Sequence, residues 1–174
     1  VLMTGGRERL GNILEPLLFD DFLTTSSLMI RRRCIENLDG LLFREDFSWA
    51  EDWEFKIRLA ARFEVYVTPD VWVNYYVTEK SLSRKHGAET LRNILNNVYE
   101  VLRKDPVVRP VVDLNSRKLQ AAVFFIVGRE YYNEGNVWVA RRELFKSLFK
   151  SPFTSNLRSL LLMLFFPPVI QRYF

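Results

Sequence analysis

The residues after Gly87 carry apolar side chains at three- and four-residue steps, and this periodicity constrains the fold more than any other feature. In its first stretch these positions are Leu91, Ile94, Leu95, Val98, Val101 and Leu102. Such steps place the side chains on one face of an α-helix, which Asp105-Pro106 would end. A second helix is predicted over residues 117–133. Residues 85–174 are therefore expected to be all-α, with residues 107–113 as a linker.

Small and aromatic residues between 117 and 152 have the spacing found in a single tetratricopeptide repeat. They are Gly128, Tyr131, Gly135, Ala140, Leu144, Ser147 and Pro152. The small residues let two helices approach closely, and the proline ends the second helix. One such unit does not make a repeat array, so a tetratricopeptide-like helical hairpin over about 117–152 is predicted.

The last twenty residues contain an apolar run, Leu160-Leu161-Leu162-Met163-Leu164-Phe165-Phe166. At about a dozen residues it is shorter than the roughly 20 that cross a bilayer. Two interpretations stay open, a buried final helix and a helix lying at a membrane surface. Flanking Arg158 and Arg172, with the basic residues of the hairpin, are compatible with the membrane surface. The two interpretations are nearly even, with burial slightly ahead.

Charge is distributed unevenly along the chain. Residues 1–84 contain 11 Lys and Arg against 14 Asp and Glu, and residues 85–174 contain 14 against 7. An acidic half and a basic half indicate different partners for the two. The positive charges are not interleaved with aromatics as on a nucleic-acid-binding strand platform, so nucleic acid is not an expected partner. The single cysteine, Cys34, excludes an internal disulfide and is typical of a reducing compartment.

Residues 1–84 show a mixture of strand and helix patterns. Strands are predicted over 23–30, 63–67 and 71–77, with a short helix over 34–38. Asp20-Asp21 is interpreted as a solvated turn before the first strand rather than as a metal site. The basic triplet Arg31-Arg32-Arg33 could clamp phosphates, but capping and solvation of the strand end is the favoured interpretation.

An acidic start and a basic end mark a predicted helix over about 51–62. Ser48 is a candidate N-cap, and Glu51 three residues later has the spacing of a capping box. Glu51, Asp52 and Glu54 occupy the first turn, where the helix dipole favours negative charge. Glu54 and Arg58 form an i,i+4 pair. Helix-end electrostatics alone explains an acidic pair here, and catalysis needs more context.

That context is a resemblance to the family 2 inverting glycosyltransferases over residues 17–84. It is carried, in order, by Met29-Ile30-Arg31-Arg32, a glycine turn at Gly40, Glu51-Asp52, Arg58-Leu59-Ala60, and Tyr75 followed by Ser81-Leu82-Ser83. The single motifs are not specific, whereas their order and spacing together are. The resemblance implies an α/β fold class for this half, a partial GT-A-type (Rossmann-like) mixed sheet that forms the acceptor side of a glycosyltransferase domain.

The resemblance also implies a function and its residues. Asp52 corresponds to the family's general base, which takes the proton of an acceptor hydroxyl during sugar transfer from a nucleotide-sugar donor. Glu51, Trp49 and Trp53 are candidate acceptor-binding residues. The acceptor would be a glycan or a lipid-linked molecule. A nucleotide-binding half with a D-x-D motif is expected before Val1, and without it this chain is expected to be inactive.

The family's divalent metal, Mn or Mg, is expected in the full-length protein, and none is expected to be bound by this chain alone. Thr78 stands where the family often has a histidine that helps hold metal and diphosphate. This departure leaves Lys80 and Arg84 as weak candidates for binding the diphosphate. The expected location is cytoplasmic, with peripheral contact at the inner membrane surface as an option. The alternative function is a helical module that binds a protein or a membrane surface without catalysis.

Overall fold

The chain divides into two compact units, and each has its own core. The computed structural model describes residues 9–38, 43–47, 49–68, 70–74 and 86–151. Unit 1 comprises residues 1–78 and 100–112, and unit 2 comprises residues 79–99 and 113–174. Two helices, α4 (Ala88–Leu102) and α5 (Arg109–Leu114), contribute residues to both units.

Unit 1 contains short elements around one longer helix. In chain order they are β1 (Arg9–Gly11), α1 (Leu14–Phe19), a 3₁₀ turn (Thr25–Ser27), α2 (Arg32–Glu36), α3 (Glu51–Arg62) and β2 (Val65–Val67). β1 and β2 pair antiparallel over three residues, with Gly11 opposite Val65. α1 packs on α3. The strand predicted over 63–67 is thus observed, but in a ladder of only two strands.

The core of unit 1 forms where α1 meets α3. Leu17 and Leu18 of α1 and Ile57 of α3 are fully buried. Burying an aliphatic side chain of this size stabilises a fold by about 1.5–3 kcal/mol. Trp53 joins this core, and its Nε1 donates a hydrogen bond to the Leu17 carbonyl oxygen at 2.7 Å. These contacts fix which face of α3 is turned inward.

α3 also buries charged side chains, and each of them has a partner of opposite charge. Glu54 Oε1 accepts a hydrogen bond from Arg58 Nε at 2.8 Å, so the predicted i,i+4 pair is confirmed. At the end of the helix Arg62 Nη2 lies 2.8 Å from an Asp105 carboxylate oxygen, within the same unit. Buried charges are tolerated only when they are paired, so these contacts are a condition for burying the helix.

Unit 2 is built on a helical hairpin, α6 (Ser116–Asn133) and α7 (Val137–Lys150). A Cβ on Gly128 would lie 2.9 Å from Leu144 Cγ, so glycine is what permits the close approach of the two helices. In the turn, Gly135 has φ of 82°. Its N–H bonds to Tyr132 O and the next N–H bonds to Tyr131 O, which is a Schellman motif.

The predicted α/β fold class is wrong. Helices dominate the described residues, and their only sheet is the β1–β2 ladder. The stretch predicted as a strand over 23–30 contains a 3₁₀ turn, because Ser27 N–H and Oγ both bond to Thr24 O and so satisfy the backbone locally. Residues 71–74 are exposed and make no strand.

Other boundaries were predicted with mixed success. The helices expected over 91–104 and 117–133 are observed as Ala88–Leu102 and Ser116–Asn133. The linker expected over 107–113 is instead mostly the short helix α5. The boundary at 84/85 and the apolar final helix lie outside the described residues, so both stay predictions.

Candidate active site

The start of α3 places Asp52 in the first helical turn. Ala50 precedes the helix with a left-handed φ of 65°, and its carbonyl oxygen accepts the Glu54 N–H. Asp52 Oδ1 accepts a hydrogen bond from the Trp53 N–H at 2.8 Å. A carboxylate is favoured here because the first N–H groups of a helix have no partner within the helix. The N-cap position is occupied by Ala50, so the prediction of Ser48 as the cap is wrong.

The second oxygen of Asp52 meets two side chains. Thr25 Oγ1 donates a hydrogen bond to Oδ2 at 2.5 Å, and Lys56 Nζ lies 3.2 Å from the same atom. The Asp52 side chain keeps 35% of its surface exposed to solvent. The carboxylate is therefore held at three points and still open to water.

Lys56 is the centre of this arrangement. Its side chain is only 2% exposed, and its Nζ lies 2.6 and 2.7 Å from the two carboxylate oxygens of Asp21. The Leu23 carbonyl oxygen accepts another hydrogen bond from Nζ at 2.8 Å. One buried ammonium thus holds two carboxylates, Asp21 and Asp52, whose side chains are each about one-third exposed. We call these three residues the acid pair and its lysine.

The two carboxylates differ in acidity although they share one cation. Burial raises the pKa of Asp52, but the Thr25 hydrogen bond and the charge of Lys56 outweigh burial, so the pKa lies below its usual value. For Asp21 burial is the stronger effect, and the pKa lies above its usual value despite the bond from Lys56. Asp52 is therefore the carboxylate that is held ionised most firmly.

The other predicted site residues are distributed differently. Glu51 and Trp49 are half-buried beside Asp52 in the sequence. Trp53 is 5% exposed and its indole N–H is bonded within the core, so its ring offers no face to a sugar. Lys80, Arg84 and Thr78 lie outside the described residues. The arginine triplet, Arg31-Arg32-Arg33, is exposed as expected, but it stands at the start of α2 and not at the end of a strand.

Lys56, Asp21 and Thr25 were missed as members of the site. One signal for Lys56 was present, because Asp52 and Lys56 have the same i,i+4 spacing as Glu54 and Arg58. Asp21 had been assigned to a solvated turn, and nothing in its local sequence indicates a partner 35 residues away. Thr25 lies in the stretch that was predicted to be a strand.

The arrangement supplies a fixed anionic acceptor for a proton or for a hydroxyl donor. Among the described residues no group of three or more His, Cys, Asp or Glu side chains could hold a metal ion. The divalent cation that the resemblance implies thus has no fitting ligand set in this part of the chain. No helix within the described ranges is long and apolar enough to cross a membrane.

No protein-family model, no curated protein and no solved structure matches this chain.

Proposed function

We propose that this chain is the acceptor-side part of a nucleotide-sugar glycosyltransferase in which Asp52 is the general base. The observation that supports this most directly is the state of the Asp52 carboxylate. It is fixed by Thr25, Lys56 and the Trp53 N–H, and a third of its surface is open to solvent. A general base must be ionised, accessible and oriented.

The reaction is a single displacement with inversion. The acceptor hydroxyl gives its proton to Asp52 while its oxygen forms a bond to the anomeric carbon. The bond from that carbon to the diphosphate oxygen breaks, and the nucleoside diphosphate leaves with the electron pair. Asp52 Oδ1 accepts the Trp53 N–H, and a carboxylate oxygen has a second lone pair with which to receive the acceptor proton.

Lys56 and Thr25 have positioning roles in this mechanism. Both contact Oδ2, so they fix the rotation of the carboxylate and direct Oδ1 away from Lys56. The charge of Lys56 also favours the ionised form of Asp52, which keeps the base ready at neutral pH. Trp49 and Glu51 are the remaining candidates for contact with the acceptor.

The proposal is tested with the full-length protein and a panel of UDP-, GDP- and dTDP-sugars, by measuring nucleotide release with and without simple glycoside acceptors. Asp52→Asn should lower acceptor-dependent turnover by about 10²- to 10⁴-fold, the usual contribution of a general base. Donor binding, measured by calorimetry with the same nucleotide-sugars, should be unchanged. Residues 1–174 alone should give no transfer.

The matched control is Asp46→Asn. Asp46 is an exposed carboxylate paired with Arg44, and it has no part in the proposed site. It should keep wild-type turnover. If Asp52→Asn keeps wild-type turnover as well, Asp52 is not the base. Helix-end electrostatics is then a sufficient explanation of Glu51 and Asp52 at the start of α3.

A further inference from the structure

One face of α7 is exposed and carries aromatic and basic side chains. Four of its residues recur at i, i+4, i+7 and i+11, which places them in one stripe along the helix: Trp138, Arg142, Phe145 and Phe149. Trp138 is 82% exposed and Phe149 is 79% exposed. We call these four residues the α7 stripe.

The α7 stripe lies opposite the side of the helix that packs. The buried residues of α7 are Ala140, Glu143, Leu144 and Ser147, also at steps of three and four. At 100° per residue the centres of the two sets are about half a turn apart. The exposure of three large aromatic side chains therefore does not come from loose packing, because the inner face of the helix is filled.

Basic side chains flank the stripe on both sides. Arg141 lies on one side, and Lys146 and Lys150 lie on the other. The one acidic residue of α7, Glu143, is buried and ion-paired with Arg92, Arg142 and Lys146, so it presents no negative charge to the surface. The outward face of the helix is thus aromatic at its centre and cationic at its edges.

A groove beside the stripe has the same chemistry. It has a volume of about 440 Å³ and is lined by Arg117, Phe124, Lys146, Phe149 and Lys150. Arg117 is engaged there, since its Nε donates to the Lys150 carbonyl oxygen at 2.6 Å. The Lys146 ammonium lies 5.4 Å from the centre of the Phe124 ring. The groove offers cationic ammonium groups next to an aromatic wall.

We infer that the α7 stripe binds the surface of an anionic lipid bilayer. An interfacial helix needs one apolar face that enters the headgroup region and basic residues at its edges that meet the phosphates. Trp138, Phe145 and Phe149 supply the first. Lys146 and Lys150 at one edge, with the exposed Arg142 within the stripe, supply the second. Charge complementarity selects this occupant over a neutral apolar partner. The inference stands on α7 and does not depend on sugar transfer at Asp52.

The test uses residues 1–174 and vesicles of phosphatidylcholine with 30% phosphatidylserine, with pure phosphatidylcholine as the reference. The chain should float with the anionic vesicles and much less with neutral ones, and added salt should weaken binding. Trp138→Ala with Phe149→Ala should lower the partition coefficient about tenfold or more. Trp72→Ala is the matched control, because Trp72 is an equally exposed tryptophan in unit 1.

Charge is tested separately. Arg142→Gln with Lys150→Gln should weaken binding to anionic vesicles about 25-fold, at about fivefold for each basic residue. Arg32→Gln with Arg33→Gln changes the net charge equally in unit 1 and should leave binding within a factor of about two. Equal losses in the two double variants would mean that net charge alone drives the association, and this would overturn the inference.

The depth to which Trp138 enters the bilayer is tested by the quenching of tryptophan fluorescence with brominated lipids. The wild-type chain should be quenched, and Trp138→Phe, which keeps an aromatic ring, should lose much of that quenching. Three results overturn the inference: no binding of the folded chain to anionic vesicles, wild-type binding by the stripe variants, or shielding of Trp138 from aqueous iodide before vesicles are added. Shielding would mean that a second copy or residues 152–174 cover the stripe.

Discussion

Unit 1 and unit 2 each contain a cluster in which one buried charged side chain is paired with more exposed groups of opposite charge, and the two buried charges have opposite sign. In unit 1 the buried group is the Lys56 ammonium, and its partners Asp21 and Asp52 are each about one-third exposed. In unit 2 the buried group is the Glu143 carboxylate, 1% exposed, and its partners Arg92, Arg142 and Lys146 are the more exposed groups. In each cluster the sign of the buried charge therefore decides the sign of the charges that are exposed to solvent.

The opposite arrangement gives the two units different chemical surfaces. Burying the cation in unit 1 presents two carboxylates at the start of α3, where a proton acceptor is proposed. Burying the anion in unit 2 leaves the exposed face of α7 without negative charge, next to the stripe proposed to bind lipid. In both units the charge cluster also fixes side-chain geometry, because a buried charge is stable only with its partners in place.

The largest expected effect comes from leaving the buried lysine of unit 1 without carboxylates. Asp21→Asn with Asp52→Asn should lower the free energy of unfolding by about 3 kcal/mol, at the low end for breaking a buried ion pair because water reaches both carboxylates. Urea denaturation measures the total loss, and hydrogen exchange of the α3 amides localises it. Glu36→Gln with Asp46→Asn removes two exposed carboxylates and should have little effect. Equal losses of unfolding free energy in the two double variants would mean that Asp21 and Asp52 stabilise the fold no more than exposed carboxylates do.

Removing one cation from the Glu143 cluster in unit 2 should lower the free energy of unfolding by less than the double substitution in unit 1 does. Arg92→Met leaves Glu143 with Lys146 at 2.8 Å and Arg142 at 3.5 Å, so the buried carboxylate keeps two charged partners. The expected loss is about 1.5–3 kcal/mol, the usual value of a hydrogen bond to a charged group. The same denaturation series with Arg129→Met, an exposed arginine on α6, is the control. A loss beyond that of the unit 1 double variant would reverse the ranking of the two clusters.

The close approach of α6 and α7 can be tested without changing any charge. Gly128→Ala puts a methyl group 2.9 Å from Leu144 Cγ and 3.2 Å from the Ala140 carbonyl oxygen. We expect a loss of about 1–2 kcal/mol by thermal or urea unfolding, at the low end for overpacking because the Leu144 side chain can shift. Gly87→Ala, whose added Cβ meets only the end of the Glu134 side chain at 3.1 Å, is the control. Unchanged stability in Gly128→Ala would show that the space between α6 and α7 accommodates the added methyl group.

The smallest effect is a difference in acid response between the units. Burial alone would raise the pKa of Glu143, but the hydrogen bonds from Lys146 and Arg92 outweigh burial and lower the pKa below its usual value of 4.5. A lowered pKa gives stability that is present above pH 4.5 and is lost as pH falls through the folded pKa. In unit 1 the lowered pKa of Asp52 acts in this direction and the raised pKa of Asp21 acts against it. The pKa of Asp46 is also lowered by the hydrogen bond from Arg44, but solvent screens this exposed pair.

Acid should therefore weaken unit 2 more than unit 1. Between pH 6 and pH 3 the urea midpoint of the wild-type chain should fall, and Glu143→Gln should flatten this fall after correction for its lower starting stability. Asp21→Asn should not flatten it, because protonation of Asp21 favours the folded state. A fall that is equally steep in Glu143→Gln would assign the acid response to other carboxylates.

The sequence predicted the long helices well and the candidate site in part. Helices α3, α4 and α6 begin and end within a few residues of the predicted bounds, because their apolar periodicity and their stop signals are local. Asp52 was singled out from its place at the start of α3 and from the family resemblance. Lys56 was not, since a lysine in a helical pattern is ordinarily a solvated residue, and its burial depends on Asp21 and Leu23.

The amino-acid order alone determined where the chain is helical, where Glu54 pairs with Arg58 and where glycine lets two helices meet, because these depend on neighbours within a few positions. Only the tertiary structure decided which charges are buried, that Trp53 belongs to the core and that residues 23–30 do not form a strand. Burial is set by contacts between segments far apart in the chain, such as Asp21 with Lys56. A residue's own sequence neighbours do not encode such contacts.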